Sequence, residues 1–469
     1  MKKIIISVAA IAVVGLVAPK FTGAGINEGL DNFVANLNTA PGYTATIESR
    51  ETSWFSSAAV VKVGIDPAMF ADLDLPPSDM QNFEELSANI NVTAQHGPFL
   101  TLNGLGLGLS AWKAEVDESV LREYLSYADD ERFYSVAGKI SLFGGLSFED
   151  TMPKFTVIAQ DDGDEAITVS GWNGKGTASS GGATYAGATD LVTVSADGVT
   201  FEMKSMTLES SIEGDWTAAM KGDFYNSTSQ FGIASINLDM PMMDTKASLD
   251  KLIIDVKTEK SEDENLMDMD INYAIESVEA PQFSGRDLIV KTEINNLEKA
   301  FFKAYQEASA NPAQMEQAMA DMIETKLLPQ LQASPEFNIT EMSGKVADGN
   351  FSGKIMTKVT GINSLPEPLE DPTFWVSKTV VDSQLKLDKA MALWVGEQVV
   401  ISQIQADPNA AGMTNEEIKA IAAEQVEGMI GMFAQQGMIT VNADGEYEMT
   451  FTMQDGQAML NGNPMPLPF

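Results

Sequence analysis

From residue 43 onward, apolar and polar side chains alternate with a period of two in one stretch after another. The apolar positions are Tyr43, Ala45 and Ile47, then Ala59, Val61, Val63 and Ile65, then Ala88, Ile90, Val92 and Ala94, and again Leu105, Leu107 and Leu109. Successive side chains point to opposite faces of a strand, so such segments build antiparallel sheets with one apolar and one wet face. Turn pairs such as Asp197-Gly198 punctuate this pattern up to about residue 294. The pattern predicts an extended sheet, a sandwich or an open barrel.

Helical spacing appears at a few places between these strands. Residues 26–38 form a first amphipathic stretch, and apolar stripes return after residue 296. Two longer helices are expected at about 388–405 and 415–435, the second opening with a capping box from Thr414 to Glu417. Strand segments at 439–442, 446–453 and 457–460 close the chain. The predicted class is α+β and strand-dominant, with extended antiparallel sheet(s), a C-terminal helical block and a final three-stranded meander.

The N-terminus reads as a targeting segment. Lys2 and Lys3 precede an unbroken apolar run over residues 4–18, which is typical of an export signal. The run is shorter than the roughly 20 residues that span a bilayer comfortably, and residues 22–24 offer small side chains for cleavage. Both retention as an anchor and cleavage therefore stay open. We expect residues 1–24 to be a signal or membrane-anchor segment, 25–295 a strand-rich region, and 296–469 a mixed region, with continuity of the sheet across residue 295 as an alternative.

Charge and composition exclude several classes of function. The 469 residues include 67 acidic and 29 basic ones, a formal net charge of −38. Nucleic-acid binding and polybasic membrane docking both need clustered Lys and Arg, so both are excluded. The chain has no Cys and a single His, His96, which rules out disulfides, thiolate metal sites and multi-histidine sites. The acidic runs 161–165 and 262–264 lack the EF-hand spacing, and we expect no metal site and no cofactor.

Two short motifs are the candidate sites. His96-Gly97-Pro98-Phe99 ends an alternating strand, and a role of the imidazole in holding the turn is favoured over catalysis or binding. Residues 54–57 place two aromatics before Ser56 and Ser57, and Trp54 and Phe55 are expected to anchor the core. Residues 171–177 resemble a phosphate-binding loop, but the required spacing is absent, and an ordinary loop is expected.

Several motifs along the chain together resemble one family. They are the Lys2-Lys3 start with its apolar run, Phe55-Ser56-Ser57, His96-Gly97-Pro98-Phe99, Gln425-Val426-Glu427-Gly428, Asp455-Gly456-Gln457, and Leu460-Asn461-Gly462 with Met465. The chain resembles the YdgA-like family of Gram-negative bacterial envelope proteins, whose function is unknown. The resemblance implies a periplasmic body anchored in the inner membrane. It carries over no catalytic residue, and it marks the two short motifs as family residues of unknown role.

Three functions remain in competition. The leading one is a non-enzymatic envelope protein, either a scaffold or a binder of apolar ligands such as lipids or lipoprotein acyl chains. The first alternative is an envelope hydrolase that uses carboxylates with His96, and the second is a protein–protein adaptor. The expected partners are therefore the membrane, through the N-terminal segment, and a lipid or an envelope protein. Oligomeric state does not follow from the sequence.

Overall fold

The chain forms two compact units. The computed structural model describes residues 26–39, 43–65, 87–117, 121–123, 125–157, 166–196, 198–216, 224–281, 283–310, 315–406 and 413–467. Unit 1 comprises Met1–Thr245 and Phe302–Glu324, and unit 2 comprises Lys246–Phe301 and Thr325–Phe469. The expected signal or anchor segment and the acidic run 161–165 lie outside the described residues. Within the described ranges, no helix combines the length and the apolarity needed to cross a membrane.

Unit 1 contains one α-helix, one short 3-10 helix (Leu121–Glu123) and fifteen strands among the described residues up to 240. They are α1 (Ile26–Thr39), β1 (Tyr43–Thr52), β2 (Ser56–Ile65), β3 (Ser87–His96), β4 (Phe99–Leu100), β5 (Gly106–Leu107), β6 (Ser110–Val116), β7 (Leu125–Ser126), β8 (Ser135–Ile140), β9 (Leu146–Met152), β10 (Phe155–Val157), β11 (Ala166–Val169), β12 (Trp172–Ser179), β13 (Gly182–Ala196), β14 (Val199–Glu213) and β15 (Asn226–Met240). Antiparallel pairs run in the order β1–β2–β3–β6–β8–β9–β12–β13–β14–β15.

The core of unit 1 is built by the predicted alternation. The inward positions of β2, β3 and β6 are fully buried, as at Val61, Val92 and Trp112. Helix α1 buries Leu30, Phe33 and Leu37 in the same cluster, because residues three and four apart share one helix face. The helix expected at 26–38 and the first three strands are thus confirmed.

Unit 2 has longer strands and more helices. Its elements are β16 (Thr245–Lys260), β17 (Leu266–Ala280), β18 (Phe283–Glu298), β19 (Glu336–Val346), β20 (Gly349–Val359), α4 (Pro372–Lys378), β21 (Thr379–Leu387), α5 (Lys389–Ala406), α6 (Asn415–Gln435), β22 (Thr440–Val441), β23 (Tyr447–Gln454), β24 (Gln457–Leu460) and β25 (Asn463–Met465). Two further helices, α2 (Lys299–Ala310) and α3 (Met315–Gln332), contribute residues to both units.

The strands of unit 2 also pair antiparallel, in the order β16–β17–β18–β19–β20–β21–β23–β24–β25. Helix α6 begins with the predicted capping box: the Thr414 hydroxyl accepts from the Glu417 N–H at 3.2 Å, and the Glu417 carboxylate accepts from the Thr414 N–H at 2.8 Å. The closing meander forms as predicted, with β25 added to it. The predicted fold class is therefore confirmed. The two units divide the chain after Thr245, inside the region that the sequence presents as one strand-rich stretch.

Residues 172–179 form strand β12, so the expectation of a loop at 171–177 is wrong. The glycines that suggest a loop instead make room for neighbouring aromatic rings. A Cβ atom at Gly176 would lie 2.3 Å from the Phe148 ring, and one at Gly174 would lie 2.3 Å from the Tyr185 hydroxyl. Glycine in a strand often marks such a close approach.

Candidate functional site

The two short motifs singled out in the sequence come together at one end of unit 1. The start of β2 pairs with the end of β3, with Ser56 opposite Gln95. The His96 N–H donates to the Phe55 carbonyl at 2.8 Å. On the side-chain level, the Ser57 hydroxyl lies 2.9 Å from Nε2 of His96. The sequence names these residues, and the sheet register brings them into contact.

The Ser57–His96 contact has the character of a structural tie. Ser57 is buried, so its hydroxyl is withheld from solvent and from a substrate. A net hydrogen bond of this kind contributes about 1 kcal/mol to stability. The contact joins β2 to β3 at the point where both strands reach the turns, and the turn-holding role of His96 stays a prediction.

The turn that follows His96 is closely packed against a second loop. The Gly97 N–H donates to the Leu109 carbonyl at 2.7 Å, and the Gly108 N–H donates to the Pro98 carbonyl at 3.1 Å. A Cβ atom at Gly97 would sit 1.8 Å from the Gly108 carbonyl oxygen, closer than any real contact. Glycine is therefore required at position 97 for steric reasons.

Trp54 and Phe55 are exposed, so the expectation that they anchor the core is wrong. The Trp54 side chain is 92% exposed, and Phe55 and Phe99 are exposed as well. The turn that carries the pair is well ordered by hydrogen bonds, since the Ser53 N–H donates to the Ser56 carbonyl at 2.8 Å. A tight turn between two strands leaves its central side chains no core to enter.

Leu105, Leu107 and Leu109 are also exposed, so the expectation that they form the inner face of a strand is wrong. Leu105 is 91% exposed. Only Gly106–Leu107 has strand geometry, and it pairs with Phe99–Leu100. The alternation is present, but the leucines face outward and the interleaved glycine faces inward. A Cβ atom at Gly108 would lie 2.6 Å from the Ile140 carbonyl oxygen.

A third turn lies beside the turns 53–56 and 97–109 and adds two more exposed apolar side chains. Residues 141–145 join β8 to β9, with Leu142 exposed and Phe143 100% exposed at the tip. The Gly144 N–H donates to the Ser141 carbonyl at 3.0 Å and closes the turn. Neighbouring strand ends bring the three turns together: Ser110 lies opposite both His96 and Ile140. We call the turns 53–56, 97–109 and 141–145 the apolar end.

A buried polar cluster lies elsewhere in the core of unit 1. Asp150 occupies an inward position of β9 and is 3% exposed. Its carboxylate accepts from the Tyr134 hydroxyl at 3.2 Å and from the Tyr185 hydroxyl at 3.2 and 3.3 Å. Trp172 Nε1 donates to the Tyr185 hydroxyl at 3.0 Å. A polar residue between Phe148 and Met152 in a strict alternation was the sequence signal for this cluster.

Burial dominates the electrostatics of this cluster. Removal from water raises the pKa of the Asp150 carboxyl above its ordinary value, while hydrogen bonds from Tyr185 and Tyr134 act in the opposite direction. Burial also raises the pKa of both phenols, and the neighbouring carboxylate raises it further. Perturbed groups often mark functional sites, but buried networks also serve structure by fixing strand pairing. Here the three partners connect β9, β13 and the start of β8.

Unit 2 presents a different feature, an apolar sheet face. Residues opposite one another in an antiparallel pair lie on the same face, so the register defines its members. They are Leu252, Ile254, Val256, Met269, Ile271, Tyr273, Ile275, Leu288, Val290, Ile294, Phe337, Ile339, Met342, Ile355, Val381, Leu385, Met449, Phe451 and Met453. We call this set the apolar sheet face.

None of these side chains is fully buried. Tyr273, Phe337, Ile355 and Met449 are exposed, and the other members are half-buried. One border is covered, where Leu387 and Tyr447 pack against α5 and α6. Exposed apolar surface on this scale is unusual for a soluble protein and generally marks an interaction site.

The opposite side of the same sheet is charged. Lys291 pairs with Glu341 at 2.6 Å, and Lys358 pairs with Glu336 at 2.6 Å. The lysine beside Glu336 holds the pKa of that carboxyl below its ordinary value through a hydrogen bond. This side therefore carries ion pairs, together with apolar side chains such as Ile253 and Ile289 and the buried Asn338.

A cavity of about 750 Å³ opens at the C-terminal strands of unit 2. Its lining is mainly apolar and includes Val376, Ala458, Met459, Met465 and Leu467. Small-molecule sites typically have this size and this kind of lining. Among the described residues, no group of three or more Asp, Glu and His side chains is placed to hold a metal ion.

These features define a strand-dominant α+β protein with a closed core in unit 1 and an open apolar sheet face in unit 2. The family model of bacterial proteins of unknown function designated DUF945 matches residues 1–468. The chain belongs to that family. No curated protein and no solved structure matches the chain.

Proposed function

We propose that the protein is a non-enzymatic binder of long apolar ligands, namely lipids or the acyl chains of lipoproteins. The proposal includes export to the periplasm and attachment to the inner membrane through the N-terminal segment, as the YdgA-like resemblance implies. The observation that carries it is the apolar sheet face of unit 2.

The dimensions of the apolar sheet face suit an extended chain. Seven strands contribute to it, and at a spacing of about 4.8 Å they make it about 29 Å wide. Each methylene group buried against such a surface contributes roughly 0.8 kcal/mol. Many small contacts of this kind favour a long aliphatic chain over a compact polar ligand.

The Ser57–His96 pair does not favour the hydrolase alternative. A nucleophile must reach its substrate, and Ser57 is buried beneath the turns. Asp150 is buried too, and its hydrogen bonds connect β9 to Tyr134, just before β8, and to Tyr185 on β13. An adaptor would use the same apolar sheet face to hold a partner protein. A long apolar ligand is the simpler occupant, because the face extends along the sheet.

A binding titration with a fluorescent fatty acid tests the proposal. Ile355→Glu places a charge in the middle of the apolar sheet face, and we expect it to weaken binding at least tenfold. Ser352→Glu is the matched control, because it lies on the same strand, points to the charged side, and pairs with Lys386. Thermal unfolding checks that both variants fold. Absence of binding by the natural chain, or equal binding by the two variants, contradicts the proposal.

A further inference from the structure

The apolar end of unit 1 combines exposure with an unusual charge distribution. Its three turns carry eight exposed apolar side chains, namely Trp54, Phe55, Phe99, Leu105, Leu107, Leu109, Leu142 and Phe143. The chain as a whole has 67 acidic residues among 469. Yet the stretches 52–65, 86–114 and 133–148, which hold these turns and the strand segments beside them, contain no Asp or Glu, and the nearest acidic residues of the adjoining strands are Glu51, Glu115 and Glu149. Their charged side chains are lysines and His96.

One of these lysines lies directly at the turns. A Cβ atom at Gly106 would lie 2.1 Å from Nζ of Lys139, so the ammonium group rests against the loop 97–109. The apolar end is therefore neutral to weakly positive in a chain that is strongly negative. An anionic headgroup layer repels the acidic remainder of the chain but does not repel this end.

The amino-acid types also fit a lipid interface. Trp, Phe and Leu on the tips of turns insert among headgroups and upper acyl chains, where aromatic rings are enriched. The turns 53–56 and 141–145 are each closed by hydrogen bonds, so these side chains are held outward by the backbone.

The course of α1 places its first residue, Ile26, at the same end. Helix α1 and strand β1 run antiparallel, with Asn38 bonded to Ala45 at 2.7 and 2.9 Å and Arg50 bonded to Asp31 at 3.1 Å. Ile26 lies five residues before Asp31, about 7.5 Å further along the helix. The turn 53–56 begins three residues beyond Arg50, about 10 Å further along the strand. The first described residue thus lies level with the apolar end.

The apolar run 4–18 is separated from Ile26 by seven residues, which span at most about 25 Å. A membrane that holds this run is therefore within reach of the three turns. We infer that the apolar end is a second membrane contact, in which Trp54, Phe99, Leu105 and Phe143 insert into the phospholipid surface and orient unit 1 on it. This inference rests on the N-terminal attachment included in the proposed function.

Single-cysteine labelling of the full chain tests the inference without background, because the chain has no native Cys. Phe143→Cys carries an environment-sensitive fluorophore at the apolar end. Met242→Cys is the matched control, because Met242 is 89% exposed and lies away from the apolar end. It follows the last residue of β15, and the first residue of that strand lies opposite Glu213, at the level of the apolar end. The labelled proteins are reconstituted into phosphatidylcholine vesicles that contain lipids with a quencher on the acyl chain.

We expect at least threefold stronger quenching at position 143 than at position 242, with both proteins floating with the vesicles. Flotation with equal, weak quenching at both positions overturns the inference and leaves the proposed function standing. Failure to float contradicts the N-terminal attachment and the inference together, while the fatty-acid titration still decides ligand binding. Concentration-dependent shielding of position 143 without vesicles would assign the apolar end to a second copy of the chain and also overturn the inference.

Discussion

At the residue scale, the Ser57–His96 contact has a measurable energy. Ser57→Ala, His96→Ala and the double variant form a cycle that isolates the interaction. We expect a coupling free energy of about 0.5–1.5 kcal/mol in the free energy of unfolding, as for a partly buried neutral hydrogen bond. The exposed pair of Ser211 and Thr228, whose hydroxyls lie 2.8 Å apart, is the control and should couple less. A coupling of zero at Ser57 and His96 would refute the role of this contact as a tie.

Asp150 should make stability depend on pH with a defined sign. Its pKa is raised in the folded state, so the folded protein keeps the proton longer than the unfolded chain does. The contribution of Asp150 to stability is then full below the unfolded-state pKa of about 3.9 and is lost as pH rises through the raised folded-state pKa. Asp150→Asn removes this titration. In denaturant unfolding from pH 3 to 8, the free energy of unfolding of Asp150→Asn should therefore rise relative to that of the natural chain as pH rises. A difference between the two proteins that stays constant with pH would contradict the raised pKa of Asp150.

Single residues were predictable from sequence only in part. Ser57 and His96 could be named as motif members, but their contact depends on the register between β2 and β3. Trp54 and Phe55 have the chemistry of core residues, and only the tight turn reveals that they point outward. Asp150 breaks an apolar alternation, which is a usable signal, whereas its partner Tyr185 lies 35 residues further along the chain.

At the element scale, the two long helices of unit 2 differ in what surrounds their glycines. A Cβ atom at Gly428 in α6 would meet nothing within 4 Å, whereas one at Gly396 in α5 would lie 2.3 Å from the Val426 side chain. Gly428→Ala should stabilise the protein by about 0.5–1 kcal/mol, since alanine is the better helix former. Gly396→Ala should destabilise it by about 1–3 kcal/mol through overpacking. Thermal or denaturant unfolding distinguishes them, and equal effects of the two substitutions would contradict this packing of α5 on α6.

Helices and strands were predictable wherever local patterns alone determine them. The capping box of Thr414 and Glu417 marks the start of α6 to the residue, and period two marks β1 to β3. The pattern failed at 105–109 and 171–177 for one reason. Interleaved glycines can face either a neighbouring backbone or a neighbouring ring, and sequence spacing does not distinguish an inward leucine from an inward glycine.

At the scale of the whole molecule, the same alternation of apolar and polar residues gives a buried core in unit 1 and an accessible apolar face in unit 2. In unit 1 the apolar positions close into a buried core with α1, as at Val61 and Phe33. In unit 2 the equivalent positions, such as Ile355 and Tyr273, stay accessible. Alternation reveals that a sheet has an apolar side, but it carries no information on what covers that side. The open face is therefore a finding of the structure, and it is the basis of the proposed function.

The most direct test of that function is the lipid content of the protein as cells make it. The natural chain, Ile355→Glu and Ser352→Glu are purified without detergent, and bound lipids are extracted and quantified by mass spectrometry. We expect lipid with acyl chains to accompany the natural chain and Ser352→Glu in comparable amounts, and to fall several-fold in Ile355→Glu. A natural chain free of lipid, or equal lipid in all three proteins, would contradict the assignment of the apolar sheet face as a ligand-binding surface.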